Sequence, residues 1–276
     1  MKIFDLTDSY IKNILEKNDL EEYKKSFPEF FEHYYSVWAK EENFKVTLDK
    51  KEVKRNKKIV LDLLPVIEKK LKKLGIIVPK DHKILIFVGQ KNSNGHSFKF
   101  KDEYITWLAL ESYNTKLDVE VFATHEIVHS LFYENHKNEN IDDFWQEDKV
   151  SSRLINEGMA TYISKRAFNL RGKDALWASY LSEKEKSKWY SECEKEKENI
   201  KKIISENYDK KIKAETEIYD MFNASDPNDI YKFRSGYYLG LKVIEKLLEL
   251  EKMKDSELIK MSVENIENKV MEICGK

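Results

Sequence analysis

Cysteine is nearly absent. The chain has two in 276 residues, Cys193 and Cys274, and neither sits in a Cys-x-x-Cys pair. That argues against a cysteine-based zinc site or redox motif. Proline (4) and glycine (8) are also scarce, which favours helices over loop-rich or all-β architecture. Neither sign of charge is in excess: 49 Lys+Arg against 50 Asp+Glu leave a net charge of −1. A general nucleic-acid binder needs a basic footprint, so no nucleic-acid partner is expected. No apolar run approaches the roughly 20 residues that span a bilayer, so no membrane partner is expected either. The opening "MKIFDLTDSYIKNILEKND" has no apolar h-region, so the expectation is a soluble, cytoplasmic protein. The length suits one large domain or two small ones, with a core large enough to need no disulfide or metal merely to fold.

The remaining pattern is mostly helical. "LTDSYIKNILEKN" and the aromatic "FPEFFEHYYSVWAKEENF" have helical spacing, with Pro28 near the start of the second. "KKIVLDLLPVIEKKLKKLG" is amphipathic, with Gly75 placed to cap it and Pro65 predicting a kink or a split. The pattern then changes. "HKILIFVGQ" is a short apolar run and "SFKFKDEYITWLALES" is rich in aromatic and β-branched residues; together they predict two or three strands joined by "KNSNGHS". From about Thr115 onward the pattern is helical again, and the Lys/Glu-rich residues 182–217 read as a solvated helix or helix pair. The predicted class is α+β, predominantly helical.

What the chain does have is "VFATHEIVHSLFYENH", residues 121–136, with half of its six histidines. Residues four apart share one helix face, so His125 and His129 can offer ring nitrogens to one ion. Glu126 adjoins the first histidine and can reach a water on that ion without ligating the ion itself. Thr115 or Asp118 can cap the helix. Chance would produce His-Glu-x-x-His in a chain of this composition on the order of one time in a hundred. The competing reading is a pair of hydrogen-bonded core histidines. A site of this kind needs a third protein ligand and an open fourth position. Glu157, in "LINEGMATYIS", stands 28 positions after His129 among small and apolar residues. It can serve as that ligand, or as an ordinary helix carboxylate paired with Arg153. Asn156 and Thr161 are candidate supporting residues. His136, two turns beyond His129, reads as a surface or supporting residue rather than a ligand, and His96 has no assigned role.

His125-Glu126-Ile127-Val128-His129 followed by Asn156-Glu157-Gly158-Met159-Ala160 resembles the gluzincin metallopeptidases, whose third ligand is a glutamate on a downstream helix. A closer resemblance is to a bacterial family of predicted zinc-dependent proteases, named as a domain of unknown function. That family shares the histidine motif, a Glu-Gly-x-Ala segment and a late Gly-Tyr-x-x-Gly, here Gly236-Tyr237-Tyr238-Leu239-Gly240. The likeness covers roughly residues 80–250. It implies a zincin-like fold with a small β-sheet before the metal helix and a helical C-terminal part. It implies Zn²⁺ held by His125, His129 and Glu157, Glu126 as the catalytic base, and a peptide or protein substrate. It also implies that Tyr237 steadies the reaction's oxyanion, with Tyr238 as the backup. Arg234, one turn earlier, is a candidate second donor or carboxylate anchor. In the gluzincin clan an edge strand pairs with extended substrate, and "YITWLALES" is the segment assigned to it.

The resulting expectation is a helical region over 1–75 and a catalytic region over 76–276, or one continuous domain. Strands are expected at about 83–112, the metal helix at about 118–135 and the third-ligand helix at about 150–168. The expected activity is zinc-dependent peptide-bond hydrolysis. The alternative is a catalytically silent binding or regulatory protein with a structural zinc.

Overall fold

The computed structural model describes residues 1–137, 149–213 and 216–275. By internal contacts the chain divides into two units, Met1–Lys72 with Ile77–Leu131, and Lys73–Ile76 with Phe132–Lys276. The described residues are predominantly helical with one four-stranded mixed sheet, so the α+β class holds.

In the first unit the strands are β1 (Lys2–Asp5), β2 (Lys83–Phe87), β3 (Gly95–Phe100) and β4 (Glu103–Ala109), in spatial order β1-β2-β4-β3. β1, β2 and β4 are parallel, with Ile3 beside Ile84 and Ile84 beside Thr106. β3 runs antiparallel to β4, with His96 beside Trp107. Two expectations are corrected here. The first third of the chain is not wholly helical, because it contributes β1. All four β1 residues are exposed, so the strand has none of the apolar alternation that would reveal it. The segment "YITWLALES" is not an edge strand either: it forms β4, whose hydrogen-bonding edges are both taken, by β2 and β3. Among the described residues, β1 and β3 are the edges.

Aromatic packing holds the helices to this sheet. Helix α1 (Pro28–Val37) buries Phe30, Phe31 and Tyr34. Phe30 meets Phe87 edge-on at 4.7 Å, and Tyr34 meets Trp107 at 5.9 Å. Such edge-to-face pairs add about 0.5–1.5 kcal/mol each beyond area burial. Helix α2 (Lys50–Lys73) continues through Pro65 as one helix. Its Asn56 is fully buried and donates to the Leu110 carbonyl at 2.9 Å. Helix α3 (Thr124–Asn135) follows the sheet and crosses the division between the units at residue 131.

The second unit is helical: α4 (Val150–Phe168), α5 (Gly172–Trp177), α6 (Glu183–Lys195), α7 (Lys197–Asn207), α8 (Ser235–Glu251) and α9 (Val263–Cys274). The Lys/Glu-rich stretch is thus the pair α6–α7, which buries Trp189, Cys193, Ile200 and Ile204. Helices α4 and α8 touch backbone to backbone. A Cβ on Gly158 would lie 2.5 Å from the Gly240 carbonyl, and one on Gly240 would lie 2.6 Å from the Leu154 carbonyl oxygen. Only hydrogen fits at that crossing. No helix among the described residues is long and apolar enough to cross a membrane.

The short helix α5 is tied to α6 by a buried ion pair, Lys186 Nζ to Asp174 Oδ1 at 2.6 Å. Burial alone would push the Asp174 carboxyl up; hydrogen bonds from Arg171 and Lys186 outweigh it and hold the carboxyl below its usual value. A depressed carboxylate adds stability above its unfolded value, about 3.9, and that stability is lost as pH falls through the folded value. Replacing Asp174 with Asn is expected to lower unfolding free energy at pH 7 by about 1.5–3 kcal/mol. Urea titrations of both proteins should converge as pH drops below about 3.9; a gap that persists at pH 2 would contradict this.

Candidate metal centre

The metal-motif helix is built in three pieces. Thr115 caps its first turn: its hydroxyl accepts from Asp118 N at 3.2 Å, and the Asp118 carboxylate accepts from Thr115 N at 2.9 Å. This reciprocal cap satisfies two donors that a helix start leaves unpaired. A π-helical turn, Val119–Ala123, follows and leads directly into α3. Single π turns are uncommon and concentrate at functional sites. His125, Glu126 and His129 lie just past it and are 7%, 4% and 2% exposed. The two imidazole rings stand 4.5 Å apart, as their spacing on one helix face requires.

Beneath the motif a chain of buried hydroxyls joins the helix to the sheet. Ser130 Oγ, next to His129, lies 2.6 Å from Thr106 Oγ1 on β4 and 2.9 Å from Ser97 Oγ on β3. His82 Nε2 reaches the same Thr106 hydroxyl at 3.0 Å. Buried hydroxyls are retained where they find partners, and here each has one. Burial is the larger cause that lowers the His82 pKa to about 4, so this histidine is neutral at neutral pH. Ser97, Thr106 and Ser130 were not singled out from the sequence. Their signal was faint: single polar residues inside apolar segments, whose partners only the sheet register brings together.

The edge strand β3 passes close to Glu126. A Cβ on Gly95 would lie 2.7 Å from both Glu126 Cγ and the Trp107 carbonyl oxygen, and 3.3 Å from Tyr113 Oη. Tyr113 is fully buried, and its hydroxyl has no hydrogen-bond partner among the described residues. Burial, then the charge of Glu126, push this phenol well above its ordinary value, so it stays protonated. On the same strand the His96 ring lies tilted against Trp38 at 4.6 Å, and 6.4 Å from the ring of His129.

On α4, Glu157 is half-buried between Asn156 and Gly158. One potential ligand atom from each of His125, His129 and Glu157 lies within 4.8 Å of the other two. Two imidazoles and one carboxylate suit zinc, which takes nitrogen and oxygen donors and leaves a position open when three protein ligands bind. Asn156 is buried, and its amide donates to Tyr133 Oη at 2.8 Å. Thr161 is 1% exposed on the same helix.

His136, read as a surface or supporting residue, is not at the surface. It is 1% exposed, with Nδ1 2.8 Å from the Phe132 carbonyl and Nε2 2.8 Å from the Met261 carbonyl. Both ring nitrogens are occupied by backbone oxygens, so it pins the end of α3 rather than facing an ion. Also in the second unit, Tyr237 and Tyr238 lie in the first turn of α8. Tyr238 is fully buried and packs edge-on against Trp189 and Tyr190 at 6.3 and 5.5 Å. Tyr237 is half-buried under the Arg234 guanidinium, whose carbon lies 4.0 Å from the ring centre.

Residues 65–268 match the family described as Predicted Zn-dependent protease (DUF2268). The chain belongs to this family. The matched span takes in every residue of the histidine motif, Glu157 and the Gly-Tyr segment of this DUF2268 protein. No curated protein and no solved structure matches the chain. The family's description is a zinc-dependent protease, and the three grouped side chains are a donor set in keeping with that metal.

The contact between β3 and Glu126 carries a prediction for this family member. Gly95→Ala puts a methyl group against the β4 backbone as well as a side chain, so β3 or Glu126 must shift. Overpacking of this kind costs about 1–3 kcal/mol. Urea unfolding should show a loss in that range; a variant as stable as the parent would mean that β3 has room to retreat.

Proposed function

We propose that the chain is a zinc metallopeptidase of the gluzincin kind, with a zincin-like fold, in which His125, His129 and Glu157 hold Zn²⁺ and Glu126 is the catalytic base. The observation that carries the reading is the grouping of those three ligand atoms within 4.8 Å, in a member of a family described as a zinc-dependent protease. A bound zinc ion supplies Lewis acidity toward a peptide carbonyl and toward water. The protein's own part is proton handling and orientation. Glu126 takes a proton from the attacking water and gives it to the departing amine nitrogen, so the carboxylate ends as it began. The Tyr237 hydroxyl donates to the oxygen that becomes negative when the carbonyl is attacked, a role suited to a donor held in place before reaction.

The hydroxyl chain through Ser130 and the Asn156–Tyr133 bond support the helices that carry the ligands. Supporting contacts of this sort commonly change metal affinity or activity by 10–100-fold when removed. β3, rather than β4, lies at an edge of the sheet among the described residues, and it is the strand placed to pair with an extended peptide. Tyr238 serves packing: its ring is buried on three sides by Trp189, Tyr190 and Lys242. The substrate is a peptide or protein, and no nucleic acid or membrane takes part. A catalytically silent protein with a structural zinc would have no use for Glu126, which adjoins the ligands without being needed to hold the ion.

Elemental mass spectrometry tests the site. Wild-type protein purified without chelator should carry about one zinc per chain, and Glu157→Ala should carry much less. Glu126→Gln should keep the metal and lose roughly 10²–10⁴-fold in hydrolysis of a mixed peptide library. Protein that takes up no zinc even when supplied with it, or a Glu126→Gln variant with undiminished activity, would overturn the reading.

A further inference from the structure

The second unit contains a cation with a fixed position and, among the described residues, no counter-ion. Arg234 stands at the entry to α8 in the left-handed conformation, φ 61°, and its backbone N–H donates to the Asn223 carbonyl at 2.7 Å. Its guanidinium is flanked by two rings, Tyr237 at 4.0 Å and Trp177 at 5.2 Å. One of its nitrogens, Nη1, donates to the Leu176 carbonyl at 2.9 Å. Trp177 is itself locked in place. It stacks on Phe233 at 4.4 Å and meets Trp189 edge-on at 5.2 Å, and Trp189 Nε1 donates to the Phe233 carbonyl at 2.7 Å. The Asp174–Lys186 ion pair anchors α5, the helix that supplies both Trp177 and the Leu176 carbonyl.

Among the described residues no carboxylate pairs with this guanidinium. Its charged neighbours in the chain are paired: Lys232 with Asp229 at 3.9 Å and Lys242 with Glu194 at 2.7 Å. A half-buried cation without a counter-ion is costly, and ring faces compensate it only in part. Guanidinium has five N–H donors in one plane, and the Leu176 carbonyl takes one nitrogen. The remaining fork matches a carboxylate, which it can grip by two parallel hydrogen bonds.

We propose that Arg234 is the specificity residue of this protein and that it takes a carboxylate of a peptide substrate. The placement follows from α8. Tyr237 lies one turn after Arg234, and Gly240 one turn further, where α8 meets α4 at Gly158, the residue after Glu157. Arg234 thus caps the helix that packs against α4, the helix carrying Glu157, and its fork takes one carboxylate of the peptide. That carboxylate is either the peptide's own C-terminus or an Asp or Glu side chain. The inference deepens the peptidase reading and rests on it, while carboxylate recognition itself needs no turnover.

Zinc-loaded full-length protein carrying Glu126→Gln is incubated with fluorescent peptide pools, and bound peptides are identified by mass spectrometry. The pools are identical except for a free or an amidated C-terminus, and each contains members with and without Asp and Glu. Wild-type protein is assayed for cleavage of the same pools. Free-terminus peptides should be captured preferentially, and adding Arg234→Gln should lower their affinity about 10- to 100-fold. Arg234→Lys, which keeps the charge and loses the fork, should fall between the two. It also serves as the test variant if the glutamine form does not fold. Preference for Asp- or Glu-containing peptides regardless of terminus, lost in the same variants, identifies the side-chain source of the carboxylate. Capture indifferent to carboxylates, a preference that survives Arg234→Gln, or no capture of any peptide overturns the inference. Cleavage by wild type without any carboxylate preference would leave the peptidase reading standing and remove this one. Carboxylate-selective capture without cleavage would do the reverse.

Discussion

Polar and ionisable side chains held in the buried interior are the constraint on which the rest of this structure depends. His125, Glu126 and His129 are each less than a tenth exposed, and a buried imidazole or carboxylate is tolerated only where something satisfies it. A helix brings the two histidines together through local geometry alone. The helix then needs a firm start, provided by the Thr115–Asp118 cap. It also needs a polar tie to the apolar sheet below, provided by Ser130, Thr106 and Ser97. The π turn before His125 fits the same demand, since one residue more in a turn resets which face the following side chains occupy.

A second set of contacts depends on closeness rather than polarity. Gly158 and Gly240 let α4 and α8 touch through their backbones, and α4 carries Glu157 beside that contact. Gly95 does the same for β3 against Glu126. In each case a candidate site side chain sits next to a residue that has none. The aromatic cluster of Trp177, Phe233, Arg234 and Tyr237 is the opposite solution, in which bulk fixes a charged group in place. Cation–ring contacts hold a guanidinium without consuming its in-plane donors, so that it is rigid and still able to bind.

The histidine motif, the glutamate 28 positions on, the helix caps and the two or three strands expected at about 83–112 were legible because each is a local pattern: fixed spacing, capping residues, β-branched runs. β1 was not legible. Four exposed residues carry no alternation, and the strand exists only because β2 offers it a parallel edge. The buried place of His136 was hidden for a related reason. Its partner, the Met261 carbonyl, lies 125 positions away, and a backbone carbonyl leaves no trace in composition or spacing.

The amino-acid sequence by itself determined the kind of chemistry available, because donor types and an i, i+4 spacing are covalent facts that any helical fold must respect. It also determined the helical character, through scarce glycine and proline and amphipathic periodicity. Only the tertiary structure decided that β3 and not β4 lies at the edge of the sheet, because strand order follows from which hydrogen-bonding edges meet, and that is a long-range choice. It likewise decided that a Glu157 oxygen lies within 4.8 Å of ring nitrogens of both histidines, and that Arg234 lies between two rings with no acid paired to it among the described residues. Residues far apart in the chain become neighbours only through packing, which sequence spacing does not record.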